Sequence, residues 1–321
     1  MNTMNKTPLE KLSKKNFTAA LAHLGSFLIL IVLLMSYKTP TKYIQGETFR
    51  YAIPIPNDPA NGHIPVGGNT CNSNGYSLVP INSQSGQCNV NPAYAPPMKK
   101  LSFNIIYGCL LFFAITAFAH LFYATDGFGS GKYSKVISEG WNPYRWVEYG
   151  LSASIMTVLI ANTLGIKDFN HILSLVFINV AMQVCGFLVE NALIQREINT
   201  TTIKASTFAG WVLLSGIWIP ILIAMRDLFK DVKDNYTGIL DPVTNKPIEI
   251  PTFVWIIIFS QIINFSCFGV AQLLQVRDGL NNKLKPFEVY ESRYLTLSFV
   301  GKLALAGALS YGLIFRTKDC T

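Results

Sequence analysis

Residues 294–316 read YLTLSFVGKLALAGALSYGLIFR, and between Arg293 and Arg316 the one charged residue is Lys302. A membrane span needs roughly 20 mostly apolar residues, which this stretch supplies. A charged lysine at the centre of such a helix costs about 2.5–3.5 kcal/mol on insertion scales, and from that depth its stem does not easily reach water. Something in the folded protein must offset that cost. One answer is a wet cavity or a paired carboxylate, as at the substrate site of many transporters. The other is covalent: a desolvated amine is a good nucleophile toward an aldehyde and forms a Schiff base with it. Gly301, Ala304, Ala306 and Gly307 thin the helix around Lys302. Small residues there leave room for a bulky ligand, and they equally serve helix packing.

The rest of the chain repeats the pattern of long apolar blocks. Of 321 residues, 50% are hydrophobic and 14% charged, and the blocks indicate an all-α integral membrane protein. Seven spans are expected, near residues 17–37, 101–124, 142–163, 168–191, 206–229, 251–276 and 288–315. Pro143 and Pro251 fall where a first helical turn tolerates them, whereas Pro220 lies inside the fifth span and should kink it. The net charge of +8 comes from basic residues between the blocks, which suits membrane flanks better than a nucleic-acid surface. Six cysteines and four histidines form no close CxxC pair and no metal-ligand spacing, so neither a metal nor a redox centre is expected. Nothing in the pattern points to an enzyme.

Residues 1–16, MNTMNKTPLEKLSKKN, are polar and basic, and a full-length apolar run follows them. That order argues against a cleaved signal peptide. Lys6, Lys11, Lys14 and Lys15 favour a cytoplasmic N-terminus, and seven crossings then put the C-terminal tail, 316–321, outside. The expected organisation is an N-terminal segment 1–16 and a bundle 17–315 that includes an extracellular first loop, 38–100. This loop is long for a connection without structure, so it should fold as a small cap with strands, one of them around Glu47 to Ile55. It carries Cys71 and Cys88; a disulfide would suit an oxidising exterior, and two free thiols are the alternative.

A cationic nitrogen in an apolar pocket needs an anion. Glu148, in the run WNPYRWVEYGLSASIM (141–156) of the third span, is the best candidate, because spans two, five, six and seven hold no acid within their apolar centres. Side chains lean toward the N-terminus of their own helix, and spans three and seven both begin inside, so Lys302 leans toward the level of Glu148. The competing reading pairs Glu148 with Arg145 near the interface. His23, early in span one, and His120, late in span two, fall at the same inner level. Singly each reads as an ordinary buried histidine; together they suggest an inner polar cavity able to take up a proton.

Seven spans, a lysine midway along the last and a basic-aromatic-acidic run in the third are similar to microbial rhodopsins. The closest resemblance is to the heliorhodopsins. It is carried by NPYRWVEYGLSASIM with glutamate as the acid, by SFVGK (298–302) with serine one turn before the lysine, by His23 and His120, by the long first loop and by the inverted orientation. Span four adds FINVAMQVCGFLVE (177–190), in which Asn179 and Met182 resemble chromophore-pocket residues and Glu190 a polar residue near the helix end. The resemblance implies all-trans retinal on Lys302 as a Schiff base, Glu148 as counterion and Ser298 beside the linkage. It also implies a homodimer, a slow photocycle and, in most members, no ion pumping. Trp218, Phe265 and Phe268, with Gln272 nearby, are expected to enclose the retinal, although aromatic residues in membrane helices commonly serve plain packing. Ser298 stands where the bacteriorhodopsin type has a second carboxylate, and Leu159 where that type has its internal proton donor, so an efficient outward pump of that kind is not expected.

Three functions compete on this reading. The first is a light-sensing photoreceptor signalling to a cytoplasmic partner through altered helix packing. The second is a light-gated proton conductor using Glu148, His23, His120 and Glu190. The third is a transporter with Lys302 and Glu148 as a charge pair, for which the sequence shows no inverted repeat or paired interrupted helices.

Overall fold

The computed structural model describes residues 8–36, 44–48, 78–82, 87–90, 98–103, 105–166, 168–195, 200–236 and 250–318. In chain order the elements are α1 (Pro8–Ser36), β1 (Ile44–Thr48), β2 (Leu78–Asn82), β3 (Gln87–Val90), β4 (Met98–Phe103), α2 (Ile105–Ala124), α3 (Asp126–Gly129), α4 (Lys132–Glu139), α5 (Pro143–Thr163), α6 (Phe169–Leu193), α7 (Thr200–Tyr236), α8 (Thr252–Leu280) and α9 (Phe287–Lys318). The seven long helices fall on the seven expected spans. Six of them are long and apolar enough to cross a membrane by that measure alone. The seventh, α5, has 21 residues, about 31 Å at 1.5 Å per residue, which matches a hydrocarbon core of roughly 30 Å. Its lower apolarity follows from its place: 13 of its 21 residues are buried, Arg145, Glu148, Ser152 and Thr157 among them.

The bundle buries its polar groups among an apolar core and turns apolar side chains outward. Phe118, Phe177, Phe208, Phe259 and Ile263 are each more than half exposed, while Asn16, His23, Thr116, Asn179, Gln261 and Lys302 are buried. Against hydrocarbon an exposed phenylalanine costs nothing, and interior polar groups must find partners from neighbouring helices. That is the arrangement of an integral membrane protein. Helix α2 packs against α1 and α5, α9 against α8, α1 and α2, and α7 against α8. Gly186 on α6 permits one close approach, since a Cβ there would fall on the Trp146 indole of α5.

Three details differ from the sequence reading. The first helix begins at Pro8 rather than near residue 17, because its polar first turns find partners: the buried Asn16 amide donates to Tyr133 Oη (3.2 Å) and the Ser13 hydroxyl to the Ala124 carbonyl (2.9 Å). The second helix begins at Ile105 rather than 101, since Met98–Phe103 is a strand. The connection 126–141 contains α4, which closes at Gly140 with φ +92° as the N–H groups of Gly140 and Trp141 return to Ile137 and Val136, an ending suited to glycine. Pro220 is accommodated within the 37-residue α7, a first-turn proline, Pro143, opens α5, and Pro251 immediately precedes α8.

Tyr43–Phe103 and Lys167–His171 form a second compact unit. It holds two antiparallel pairs: β1 with β4, in the register Ile44↔Phe103 and Gln45↔Ser102, and β2 with β3, in the register Leu78↔Val90 and Pro80↔Cys88. Strands are therefore present in the first loop. The strand expected around Glu47 to Ile55 shares only Glu47 and Thr48 with β1; residues 49–55 lie outside the described residues. So does Cys71, and with it the question of its pairing with Cys88.

Candidate functional site

The start of α5 sets the geometry of the site. Asn142 caps the helix, its side-chain oxygen accepting from the Arg145 N–H at 3.2 Å, and Pro143 occupies the first turn, where a missing N–H is harmless. Arg145 and Glu148, one turn apart, then point into the bundle toward different partners. Arg145 binds Glu190 of α6 (2.5 Å) and Glu291 of α9, all three buried. Asn142 joins them, its backbone N–H donating to Glu190 Oε2 (3.0 Å) and its amide to Glu291 Oε1 (2.7 Å), and Trp146 Nε1 donates to Glu190 Oε2 (2.9 Å). Arg145 is thus engaged away from Glu148.

Glu148 is left for Lys302. Lys302 Nζ donates to Glu148 Oε1 and to Ser298 Oγ, both at 2.8 Å, with the lysine 2% and the glutamate 5% exposed. Thr116 of α2 (2.5 Å) and Ser152 one turn along α5 (2.8 Å) donate to the same carboxylate oxygen. Breaking a buried ion pair of this kind by removing one partner costs about 3–5 kcal/mol, because the other charge stays buried. The pair offsets the insertion penalty of Lys302.

Lys302 also lines a cavity of about 770 Å³ including its open mouth, between α5, α6, α7, α8 and α9. Its walls include Trp146, Tyr149, Met156, Met182, Trp211, Leu214, Phe265, Phe268 and Tyr294, and Lys302 is the only amine and the only charged residue among the lining groups. Tyr149 stands edge-on to Phe268 (5.4 Å between centroids), and its ring lies 5.5 Å from Lys302 Nζ. An apolar, aromatic chamber ending at one amine, with that amine already held by a carboxylate, fits an extended apolar aldehyde such as retinal.

The sequence candidates divide among several places. Lys302, Ser298, Met182, Phe265, Phe268 and Gln272 line the cavity, with Glu148 behind the amine; Gln272 also donates to the Gly186 carbonyl at 3.2 Å. Trp218 and Asn179 are not among the lining residues. Trp218 stands edge-on behind Phe265 at 5.7 Å, and Asn179 donates to Ser154 Oγ at 2.9 Å. His23 and His120 stack at 5.5 Å, and His120 Nδ1 meets Asn16 Oδ1 at 2.9 Å. His120 follows Thr116 by one turn of α2, which sets the histidines beside the glutamate cluster. Glu190 is held in the separate Arg145 cluster. Sequence reasoning did not single out Glu291, Thr116, Ser152, Asn16 or Asn264. Thr116 carried a usable signal, since it precedes His120 by four residues and shares its helix face.

The heliorhodopsin family model matches residues 78–314, about three quarters of the chain. No curated protein matches it. That match runs from β2 into α9, taking in the lysine, the glutamate and the residues that line the cavity, and the chain belongs to the heliorhodopsin family, whose members are microbial rhodopsins that carry retinal in the membrane.

Proposed function

We propose that Lys302 carries all-trans retinal as a protonated Schiff base with Glu148 as its counterion, and that the protein signals light rather than pumping ions. The observation that carries this reading is the buried contact of Lys302 Nζ with Glu148 Oε1, 2.8 Å, at the wall of an apolar chamber. Retinal supplies visible absorption and a photoisomerisable double bond. The side chains supply the rest. Glu148 balances the positive nitrogen, while Thr116 and Ser152 hold the carboxylate in place. Ser298 holds the nitrogen from its own helix, one turn back. A displacement of Nζ from Glu148 leaves two buried charges without their opposite charge, and passage of a proton from Nζ to the carboxylate removes both. His120, one turn beyond Thr116 on α2 and stacked on His23, accepts that proton, and its Nδ1 contact with Asn16 Oδ1 holds the ring in place. The altered charge at α2, α5 and α9 changes how those helices pack, which a partner reads.

In the membrane we place the N-terminus in the cytoplasm and the C-terminus outside, at the plasma membrane, with the strand-bearing first loop extracellular. The protein is read as a homodimer. The signalling partner meets the cytoplasmic connections at 126–141, 195–206 or 277–287. Purified protein given all-trans retinal should develop a visible band that Lys302→Ala lacks; a colourless wild type refutes the reading. Pull-downs in light and dark, run beside photocurrent recording, test signalling, and a large current with no light-dependent partner counts against it.

Light-gated proton conduction is the second reading, favoured by the stacked histidines and their link through Asn16 to Tyr133. A current that follows the proton gradient and disappears in Glu148→Gln or Glu190→Gln would favour it.

A further inference from the structure

Two side-chain amides of α8 meet the backbone of α9 beside Lys302. Gln261, fully buried, donates from Nε2 to the carbonyl of Gly301 at 3.0 Å. Asn264, one turn further along α8, lies against the same residue: a Cβ built on Gly301 would fall on the Asn264 amide, with Oδ1 at 3.2 Å. Asn264 is buried from the exterior and lines the cavity that Lys302 lines. Gln261 therefore bonds to, and Asn264 packs against, the same residue of α9, while the Glu148 carboxylate reaches the next residue, Lys302, from α5. Gly301 owes its identity to this contact, since its φ is not in the left-handed region and its helical backbone would accept alanine.

The direction of a lysine side chain is set first by the placement of its own Cα. Gly301 immediately precedes Lys302, so a shift of that peptide moves Nζ relative to Glu148 and Ser298, whose 2.8 Å contacts leave little slack. An ion pair in a low-dielectric interior is steep in distance. Packed interiors do not deform smoothly to absorb such a shift.

We propose that Gln261 and Asn264 form an amide clamp on Gly301 that positions Lys302, and that Asn264 additionally faces the retinal near its attachment. Both are positioning residues. The inference rests on the reading that Lys302 carries the chromophore, and it adds how α8 holds the attachment point still. Three consequences distinguish a clamp from ordinary packing. Enlarging Gly301 displaces Asn264 into the cavity and so disturbs the pigment. Shrinking Asn264 at the same time removes the collision. Losing the Gln261 donor loosens the peptide without changing the cavity wall.

The test is a four-member series, wild type, Gly301→Ala, Asn264→Ala and the double variant, purified with all-trans retinal and read by the visible band and by bleaching in hydroxylamine. Gly301→Ala is expected to move the band and to speed bleaching by about tenfold or more, as overpacking of a close contact does. The double variant should return the rate to within about threefold of Asn264→Ala alone, the non-additivity that contact predicts. Gln261→Leu should speed bleaching while the cavity-lining residues stay unchanged. If Gly301→Ala bleaches as the wild type does, or if it loses pigment and the double variant does not recover it, the clamp is refuted. Thermal unfolding of the same four proteins without retinal reads the collision independently of any pigment. A wild type that takes no retinal would sink the light-sensing reading, and the melting series would still decide the clamp: a lowered Tm in Gly301→Ala, recovered in the double variant, sustains it, and equal melting overturns it.

Discussion

Replacing Glu148 by Gln removes one negative charge and little else. Glu148 Oε1 accepts from Thr116 at 2.5 Å, from Ser152 at 2.8 Å and from Lys302 at 2.8 Å, and a glutamine carbonyl in the same place keeps the two hydroxyl bonds. What changes is the charge opposite Lys302 Nζ. Removing one member of a buried pair costs about 3–5 kcal/mol. At about 1.36 kcal/mol per pH unit, the nitrogen of the retinal-loaded protein should give up its proton at a pH lower by about 2–4 units. The sign follows from the pair: a cation that has lost its anion is less stable, so its neutral form appears earlier as pH rises. The assay is a pH titration of the pigment in detergent, following replacement of the visible band by near-ultraviolet absorption. A midpoint within about half a unit of the wild type, with the band unmoved, would refute the reasoning and mean that the anion is elsewhere.

Other perturbations test neighbouring parts of the structure. Arg145→Met leaves Glu190 and Glu291 buried without their shared cation and should destabilise the protein by about 3–5 kcal/mol, more than Glu190→Gln does; thermal melting in detergent checks the order. Gly186→Ala drives a methyl into the Trp146 indole and should cost about 1–3 kcal/mol, read as a lower Tm, with part of the loss recovered by Trp146→Phe. His120→Phe keeps the stack on His23 and removes the contact with Asn16; flash photolysis should show slower or smaller proton loss from the pigment nitrogen, and unchanged kinetics would remove the histidines from the proton path.

Much of this architecture was legible in the chain because hydrocarbon permits so few solutions. Six blocks are read from hydropathy and the less apolar seventh, α5, from its length, and a lysine in the last demands a partner whatever the fold. The helix ends were harder. α1 runs back through Lys11, Lys14 and Lys15 to Pro8 because Asn16 and Ser13 find partners on α2 and α4, which no local pattern reveals. Residues 101–103 read as the start of a span, yet they belong to the strand Met98–Phe103 that pairs with Ile44–Thr48, since strand pairing depends on a segment far away in sequence.

The site shows the same division. Lys302 and Glu148 stand out as charges in apolar surroundings, and the structure brings them to 2.8 Å. Glu291 sits beside Arg293 at a polar helix start and reads as an interfacial residue; its role emerges only where α5 and α9 meet at Arg145. Asn264 and Gly301 are unremarkable residue types in their helices, and their contact is a property of two helices together. Trp218 reads as a pocket aromatic from its span, while its position behind Phe265 depends on the rotation of α7, which apolar spacing in a lipid-facing helix leaves undetermined.

The most direct measurement is borohydride reduction of the protein in the presence of all-trans retinal, followed by digestion and mass spectrometry of the peptide spanning residues 294–316. A stable retinyl adduct on Lys302, absent from Lys302→Ala, is the predicted result. An unmodified Lys302, or an adduct on another lysine, would contradict the account.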